Sequence, residues 1–158
     1  MAARSIEIAD LLTAELQRFL RGLLPGTTVT RTYTPFVDDD AFETAIGNAK
    51  AMLVYVVPVR KLTTLETRNE DIGDYSFRIV FVEKCTAAGL PSNAWMDLRV
   101  TAVESAEDYY GDARHPFTTE NGQLWAQESE ISLIFDSDSH AENGTFWSVW
   151  DLTLKEIA

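Results

Sequence analysis

Hydrophobic residues near the start of the chain recur at the spacing of an amphipathic α-helix. Most of them fall three or four positions apart over residues 5–23, which lays one apolar stripe along a helix. Ser5 is a candidate N-cap, and the segment 22–26, with a glycine at each end, ends the helix. The pattern predicts a core-covering helix with the following stripe: Ile8, Leu11, Leu12, Leu16, Phe19, Leu20 and Leu23.

A second amphipathic helix is predicted between Ser92, a candidate N-cap, and Gly111. Its acidic residues Glu104, Glu107 and Asp108 are available to water. The residues of its apolar stripe are Trp95, Leu98, Ala102, Ala106 and Tyr109.

The segment between the first helix and residue 50 predicts one strand and one short helix. Residues from Thr27 to Pro35 are β-branched and alternating, which is typical of a strand that a proline stops. Asp40 and Glu43 have the spacing of residues that cap a short helix, which would run through Ile46.

The longest strand pattern of the chain is a hairpin. Residues 51–57 are strongly apolar and continue through Pro58 into a polar, Thr-rich segment over 59–68. A turn is predicted at 69–73, and an alternating strand returns over 74–85. Because the distal half is much more polar than the proximal half, we expect the hairpin to project past the core.

Two further strands are predicted over residues 124–135 and 145–157, with an acidic loop over 136–144 between them. The segment 115–122 has the pattern of a loop. One face of the last strand carries Phe146, Ser148, Trp150, Leu152 and Leu154.

This order of helices and strands contains no repeated βαβ unit and therefore favours an α+β fold. We expect a mixed, mainly antiparallel sheet with a long projecting β-hairpin, covered by two main helices. The length of 158 residues fits a single domain, 1–158, with one core.

The charge of the chain bears on its partners. With 13 basic and 25 acidic residues, the formal net charge is −12. This charge would repel a phosphate backbone, so sequence-specific nucleic-acid binding is not expected. The acidic clusters at 38–40, 104–112 and 136–142 are interpreted as solvated loops and faces.

Cysteine usage and hydropathy indicate where the chain folds. Cys85 is the only cysteine, so an intrachain disulfide is impossible, which favours folding in a reducing cytoplasm. No basic segment precedes an early apolar run, and no run of about 18 apolar residues occurs. We therefore expect neither an export signal nor a membrane-spanning segment.

Two acidic segments are candidate metal sites. Residues 38–40 are consecutive aspartates, whose side chains point in different directions in either a strand or a helix. Residues 136–140 (Asp-Ser-Asp-Ser-His) are spaced like the start of a calcium loop, but Ala141 and Trp147 stand where such a loop has glycine and glutamate. No phosphate-binding loop or nucleophile motif occurs. We predict no catalytic, cofactor-binding or metal-binding residues.

Several segments, together with the N-terminal helix and the Thr-rich hairpin, form a pattern that covers nearly the whole chain. They are Val56-Val-Pro58, Asp74-Tyr-Ser-Phe-Arg-Ile-Val-Phe-Val-Glu-Lys84, Ala106-Glu-Asp-Tyr-Tyr110 and Phe146-Trp-Ser-Val-Trp-Asp-Leu-Thr-Leu154. In this order they resemble the tail terminator proteins of long-tailed bacteriophages, which are also called tail completion or neck proteins. The acidic loop and the additional tryptophans depart from that pattern.

The resemblance implies a structural virion protein, not an enzyme, that is made in the host cytoplasm. It implies a homohexameric ring that caps the tail tube and joins it to the head connector or stopper proteins, with DNA passing through the lumen. No cofactor is implied.

The hairpin by itself supports an assembly role, because a projecting hairpin can add a strand to an exposed sheet edge. We expect its segment 61–72 to contact a neighbouring copy or the tail tube. Candidate contact residues are Leu62, Leu65 and Ile72 as apolar anchors, and Arg68, Glu70 and Asp71 as charged residues that set the register.

Two alternatives remain open. Another neck or tail part, such as a head-tail stopper, an adaptor or a tail-tube subunit, would have the same helices and hairpin. A metal-dependent hydrolase would use the acidic segments 38–40 and 136–140.

Overall fold

A computed structural model describes two α-helices and one six-stranded sheet. The helices are α1 (Arg4–Leu23) and α2 (Asn93–Tyr110). The strands are β1 (Thr28–Arg31), β2 (Leu53–Thr67), β3 (Glu70–Lys84), β4 (Phe117–Thr119), β5 (Gly122–Leu133) and β6 (Thr145–Ile157). The described residues are 3–33, 51–67, 70–84, 93–111, 116–119, 122–134 and 145–157.

The sheet has the strand order β1-β2-β3-β6-β5-β4. β1 pairs with β2 in parallel, and the other four neighbouring pairs are antiparallel. The predicted α+β class, with a mixed and mainly antiparallel sheet, is therefore confirmed.

The core lies between the two helices and one face of the sheet. α1 packs against β1 and β2, whereas α2 packs against β5 and β6. The indole N–H of the fully buried Trp150 donates to Ser129 Oγ at 2.9 Å, so the polar atom at the centre of this face is satisfied. The residues of the last strand that were predicted to share one face, from Phe146 to Leu154 at every second position, are all buried against the helices.

A smaller apolar cluster lies on the opposite face of the sheet. Val80 and Val82 are buried there, with Tyr55 and Trp147 packed against them. Apolar residues on both faces of β3 explain why its sequence pattern is less strictly alternating here than nearer the arm.

The helices differ from their predicted limits and faces. Ser5 is not an N-cap: α1 begins at Arg4, with Ala3 at the cap position and no side-chain cap hydrogen bond. The guanidinium of Arg4 instead pairs with Glu156 of β6 and with Glu7, which ties the first turn of the helix to the sheet.

The buried stripe of α2 is shifted from the predicted one. Leu98 is 57% exposed and Tyr109 is 38% exposed. The residues that face the core are Ala102, Val103, Ala106 and Tyr110. Ala102 and Ala106 belong to the predicted stripe, whereas Val103 and Tyr110 are buried in place of Leu98 and Tyr109.

Two predictions about loops are wrong. Residues 70–73 belong to β3 rather than to the turn of the hairpin, because the backbone pairing continues as far as Thr67 with Glu70. The segment 115–122 was predicted as a loop but contains β4, which pairs with the start of β5. A three-residue strand is too short to leave a readable period in the sequence.

Several sequence predictions fall outside the described residues. They are the short helix over 40–46, the acidic loop over 136–144, both histidines, the thiol of Cys85 and the cap at Ser92.

Candidate assembly interface

The distal half of the β2–β3 hairpin projects beyond the rest of the sheet. β1 pairs with β2 only as far as Val56, and the pairing of β3 with β6 ends at Asp74. In the described part of the chain, the outer side of β2 over residues 57–67 therefore has no partner strand. We call this side the arm edge. An edge of this kind presents backbone N–H and C=O groups that another chain can pair with.

The side chains at the start of the arm edge are exposed and basic or apolar. Val59 is 61% exposed and Leu62 is 45% exposed, and Arg60 and Lys61 also face solvent. A β-bulge separates Pro58 from Arg60, and a proline is tolerated there because an edge strand does not need its N–H.

The root of the arm is held by a ring that lies over a glycine. Tyr75 is buried, and its ring centroid lies 5.5 Å from Lys61 Nζ. A Cβ on Gly73 would lie 2.7 Å from Tyr75 Cε2, so the ring can take this position only above a residue without a side chain. Burial raises the pKa of Tyr75, with a smaller contribution from Glu156.

Five of the six predicted contact residues lie within the described part of the hairpin. The backbone register places Leu62 opposite Asp74, so that Leu62 and Ile72 belong to successive rows of one face and Leu65 belongs to a row of the other face. Further along, Ile72 lies opposite Thr64, Leu65 opposite Asp71 and Glu70 opposite Thr67. Arg68 lies outside the described residues.

A second open edge lies on the other side of the sheet. β4 pairs with β5 only up to Leu124, so residues 125–133 of β5 have no partner on their outer side in the portion of the chain described. We call this side the β5 edge. It exposes Gln127, Glu128, Glu130 and Ser132. Sequence reasoning found the strand but did not single out this edge.

The β5 edge is acidic. Glu130 lies opposite Asp151 of β6, and Asp151 is already paired with Arg78 at 2.9 Å. Neither Glu128 nor Glu130 has an ion-pair partner among the described residues. Polar residues at alternate positions are the sequence signal that marks such a half-exposed strand.

A buried ion pair fixes α2 to the end of β3. Arg99 Nη2 lies 2.8 Å from Glu83 Oε2, and the guanidinium stacks over the Trp95 ring at 4.0 Å. Burial raises the pKa of Glu83, and the charge and hydrogen bond of Arg99 offset only part of this rise. Because both partners join the helix to the sheet, this ion pair has a structural role.

A groove of about 400 Å³ lies beside α1, α2 and β4. On its wall the hydroxyl of Tyr110 donates to the backbone oxygen and to the carboxylate of Glu15, both at 3.2 Å. Burial, followed by the charge of Glu15, raises the pKa of Tyr110. The phenol therefore stays protonated and serves as a donor that ties α2 to α1.

The described residues contain no group of three or more His, Cys, Asp or Glu side chains placed to hold a metal ion. The two acidic segments that motivated a metal site, 38–40 and 136–140, lie outside these residues. Within the same described part of the chain, no helix is both long and apolar enough to cross a membrane.

A scan against protein-family models finds no match to this chain, and a search of curated proteins finds no significant similarity. The sequence pattern and the geometry of the two open edges are therefore the observations that bear on the function of this protein.

Proposed function

We propose that this protein is a structural virion component, the tail terminator of a long-tailed bacteriophage. In this role its copies form a ring, expected to be hexameric, that caps the tail tube. The ring also joins the tail to the head connector or stopper proteins. The proposal is carried by the long β2–β3 hairpin with its open outer edge, because such an edge can be completed by a strand of another chain.

The position of the two open edges supports a ring. They lie on opposite sides of one sheet, so contact between them is head-to-tail. A head-to-tail contact produces a closed ring when its rotation closes, and closure ends growth. A terminator needs this behaviour, since it has to stop the tube at a defined length.

The charge of the chain suits a ring through which DNA passes. A hexamer would carry 6 × −12 = −72 formal charges. A lumen of this sign repels phosphate and lets the duplex pass without binding.

A head-tail stopper, an adaptor or a tail-tube subunit of the same virion is the second candidate, because each could use the same arm. Labelling the protein in assembled particles separates these roles. A label at the junction of tail and head supports the terminator, and a label along the whole tail indicates a tube subunit.

The direct test shortens the arm. Replacing residues 65–71 by Asn-Gly keeps Thr64 and Ile72 adjacent and closes the hairpin with a two-residue turn. In particles supplied only with this variant we expect tails of irregular length that fail to join heads, measured by electron microscopy. Far-UV circular dichroism and a melting curve establish that the variant is folded.

Leu98→Ala is the control, since it removes an exposed apolar side chain from α2, away from the arm. We expect normal tails from it. Normal tails from the folded arm variant would show that assembly does not need residues 65–71, and would contradict the contact expected between the distal hairpin and a neighbouring copy or the tail tube.

A further inference from the structure

The two open edges are matched in direction. From β2 to β5 the strand order is β2-β3-β6-β5, and each of these three junctions is antiparallel, so β2 and β5 run in opposite directions. If copies lie side by side with their sheets facing the same way, the arm edge of one copy therefore runs antiparallel to the β5 edge of the next copy. Antiparallel pairing is the slightly more stable arrangement.

The two edges are also matched in register. One cross-strand row of the sheet runs through Arg60, Ser76, Thr153 and Glu128. The hydroxyls of Ser76 and Thr153 lie 2.9 Å apart, which places this row on one face of the sheet. If copies repeat without a shift along the strands, Arg60 of one copy lies beside Glu128 of the next.

The next row on the same face of the sheet has matching apolar ends. It runs through Leu62, Asp74, Lys155 and Trp125. The same unshifted repeat would place the exposed Leu62 beside the half-buried Trp125. Cross-strand contacts between aromatic and apolar side chains stabilise a sheet.

The irregular positions of the two edges lie close to the same row. Val59 is the extra residue between Pro58 and Arg60, and Gln127 is the extra residue between Ala126 and Glu128. The two bulges flank the row that ends in Arg60 and Glu128 on opposite sides, so the unshifted repeat leaves them offset from each other along the strands.

Charge favours this pairing and opposes the alternatives. The arm edge exposes Arg60 and Lys61, whereas the β5 edge exposes Glu128 and Glu130. Two arm edges would bring like charges together, as would two β5 edges, and like charges across a strand pair are destabilising. Only the contact between unlike edges brings opposite charges together.

From these observations we propose that the β5 edge receives the arm edge of a second copy of this chain, in antiparallel pairing with Arg60 beside Glu128. This inference rests on the proposed ring and identifies its subunit contact. The sheet would then continue from one copy to the next around the assembly.

The test exchanges charges across this contact. Arg60→Glu and Glu128→Lys each place like charges opposite one another, and we expect each variant alone to associate at least about tenfold more weakly than the natural chain. An equimolar mixture of the two restores opposite charges at every contact, as does the double variant R60E/E128K. Sedimentation velocity at several concentrations measures association, and native mass spectrometry measures composition.

Two control variants change the net charge equally. Lys84→Glu matches Arg60→Glu, and Glu104→Lys matches Glu128→Lys; both residues are exposed and lie away from the two edges. We expect both controls to associate like the natural chain. In the mixture of the edge variants we expect assemblies with equal numbers of the two chains, because each contact then joins one chain of each kind.

Edge variants that associate like the natural chain would overturn the inference, as would a mixture or double variant that does not recover. A natural chain that stays monomeric at the highest soluble concentration would also overturn it, but labelling of the protein in assembled particles would still decide the terminator role. Conversely, recovery by charge exchange together with a label along the whole tail would support this contact and reject the terminator role.

Discussion

At the scale of single residues, the buried charges of this protein join its elements together. Glu83 and Arg99 are both largely buried, and their ion pair is covered by the Trp95 ring. Removing one partner of such a pair leaves the other charge buried, whereas the intact pair gains little over an apolar contact. Because burial raises the pKa of Glu83 despite Arg99, the ionised carboxylate remains unfavourable in the folded chain.

This raised pKa leads to a prediction for Glu83→Gln. Well below pH 4.5, the usual pKa of the carboxyl, it is protonated in the folded and unfolded states alike. As the pH rises from there through the raised pKa, the folded state holds the proton more tightly, so the natural chain loses stability. The free energy of unfolding of the natural chain, minus that of Glu83→Gln, should therefore fall across this window and then stay constant.

Urea unfolding at a series of pH values measures this difference. Thr101→Ser, a non-ionisable change on the exposed side of α2, should give a profile parallel to that of the natural chain. A difference that rises with pH would show that Arg99 outweighs burial and lowers the pKa of Glu83, and would contradict this prediction.

At the scale of elements, the arm depends on how β3 leaves the sheet. Gly73 lies in the strand, and the buried Tyr75 ring covers it where the pairing with β6 ends. Lys61 then lies over the same ring from β2. The hairpin therefore leaves the sheet with both strands held at its root, and its distal pairing continues without the support of a third described strand.

Two glycine-to-alanine variants should shift stability in opposite directions. Gly73→Ala places a methyl group against the Tyr75 ring and should destabilise the chain by about 1–3 kcal/mol. Gly22→Ala, in the last turn of α1 with open space around it, should stabilise the chain by about 0.5–1 kcal/mol. Chemical denaturation measures both changes.

Hydrogen exchange should show that the effect of Gly73→Ala lies in the arm. The substitution should increase the exchange rates of residues 60–75 more than those of β6. Equal effects of the two variants, or a stabilising Gly73→Ala, would show that the ring moves aside freely and does not hold the root of the arm.

At the scale of the whole molecule, two electrostatic effects oppose each other. A net charge of −12 on every copy repels approaching copies. The contact proposed between the arm edge and the β5 edge attracts them over a short distance. Salt screens the long-range repulsion first, since the Debye length falls from about 30 Å at 0.01 M to about 10 Å at 0.1 M and about 3 Å at 1 M.

Association of the natural chain should therefore be strongest at intermediate salt. We expect it to increase from about 0.01 M to about 0.15 M salt, where repulsion is screened, and to decrease towards about 1 M, where the charge pairs are screened too. Sedimentation equilibrium across this range measures the trend. A steady increase up to 1 M would contradict a role for charge pairs at the contact.

The sequence by itself determined the local elements and their order. Most of the apolar stripe of α1, the long hairpin and the shared face of alternate residues in β6 follow from periodicity, because burial of one face imposes a period on the residues that form it. Leu23, at the end of the predicted stripe, is an exception and is 45% exposed. Features that depend on distant residues did not leave such a period. The first turn of α1 is tied to β6 by the pair of Arg4 with Glu156, and α2 buries Val103 and Tyr110 rather than Leu98 and Tyr109.

The tertiary structure decided where strand edges are open among the described residues. The polar distal half of the hairpin predicts that residues 59–68 project past the core, but nothing in the local pattern of residues 125–133 states that no described strand pairs with the outer side of β5. That property depends on the sheet order and on where β1 and β4 end. The alignment of Arg60 with Glu128 is likewise a tertiary property. The pairing of β2 with β3, of β3 with β6 and of β6 with β5 places these two residues, which are far apart in the chain, on one cross-strand row.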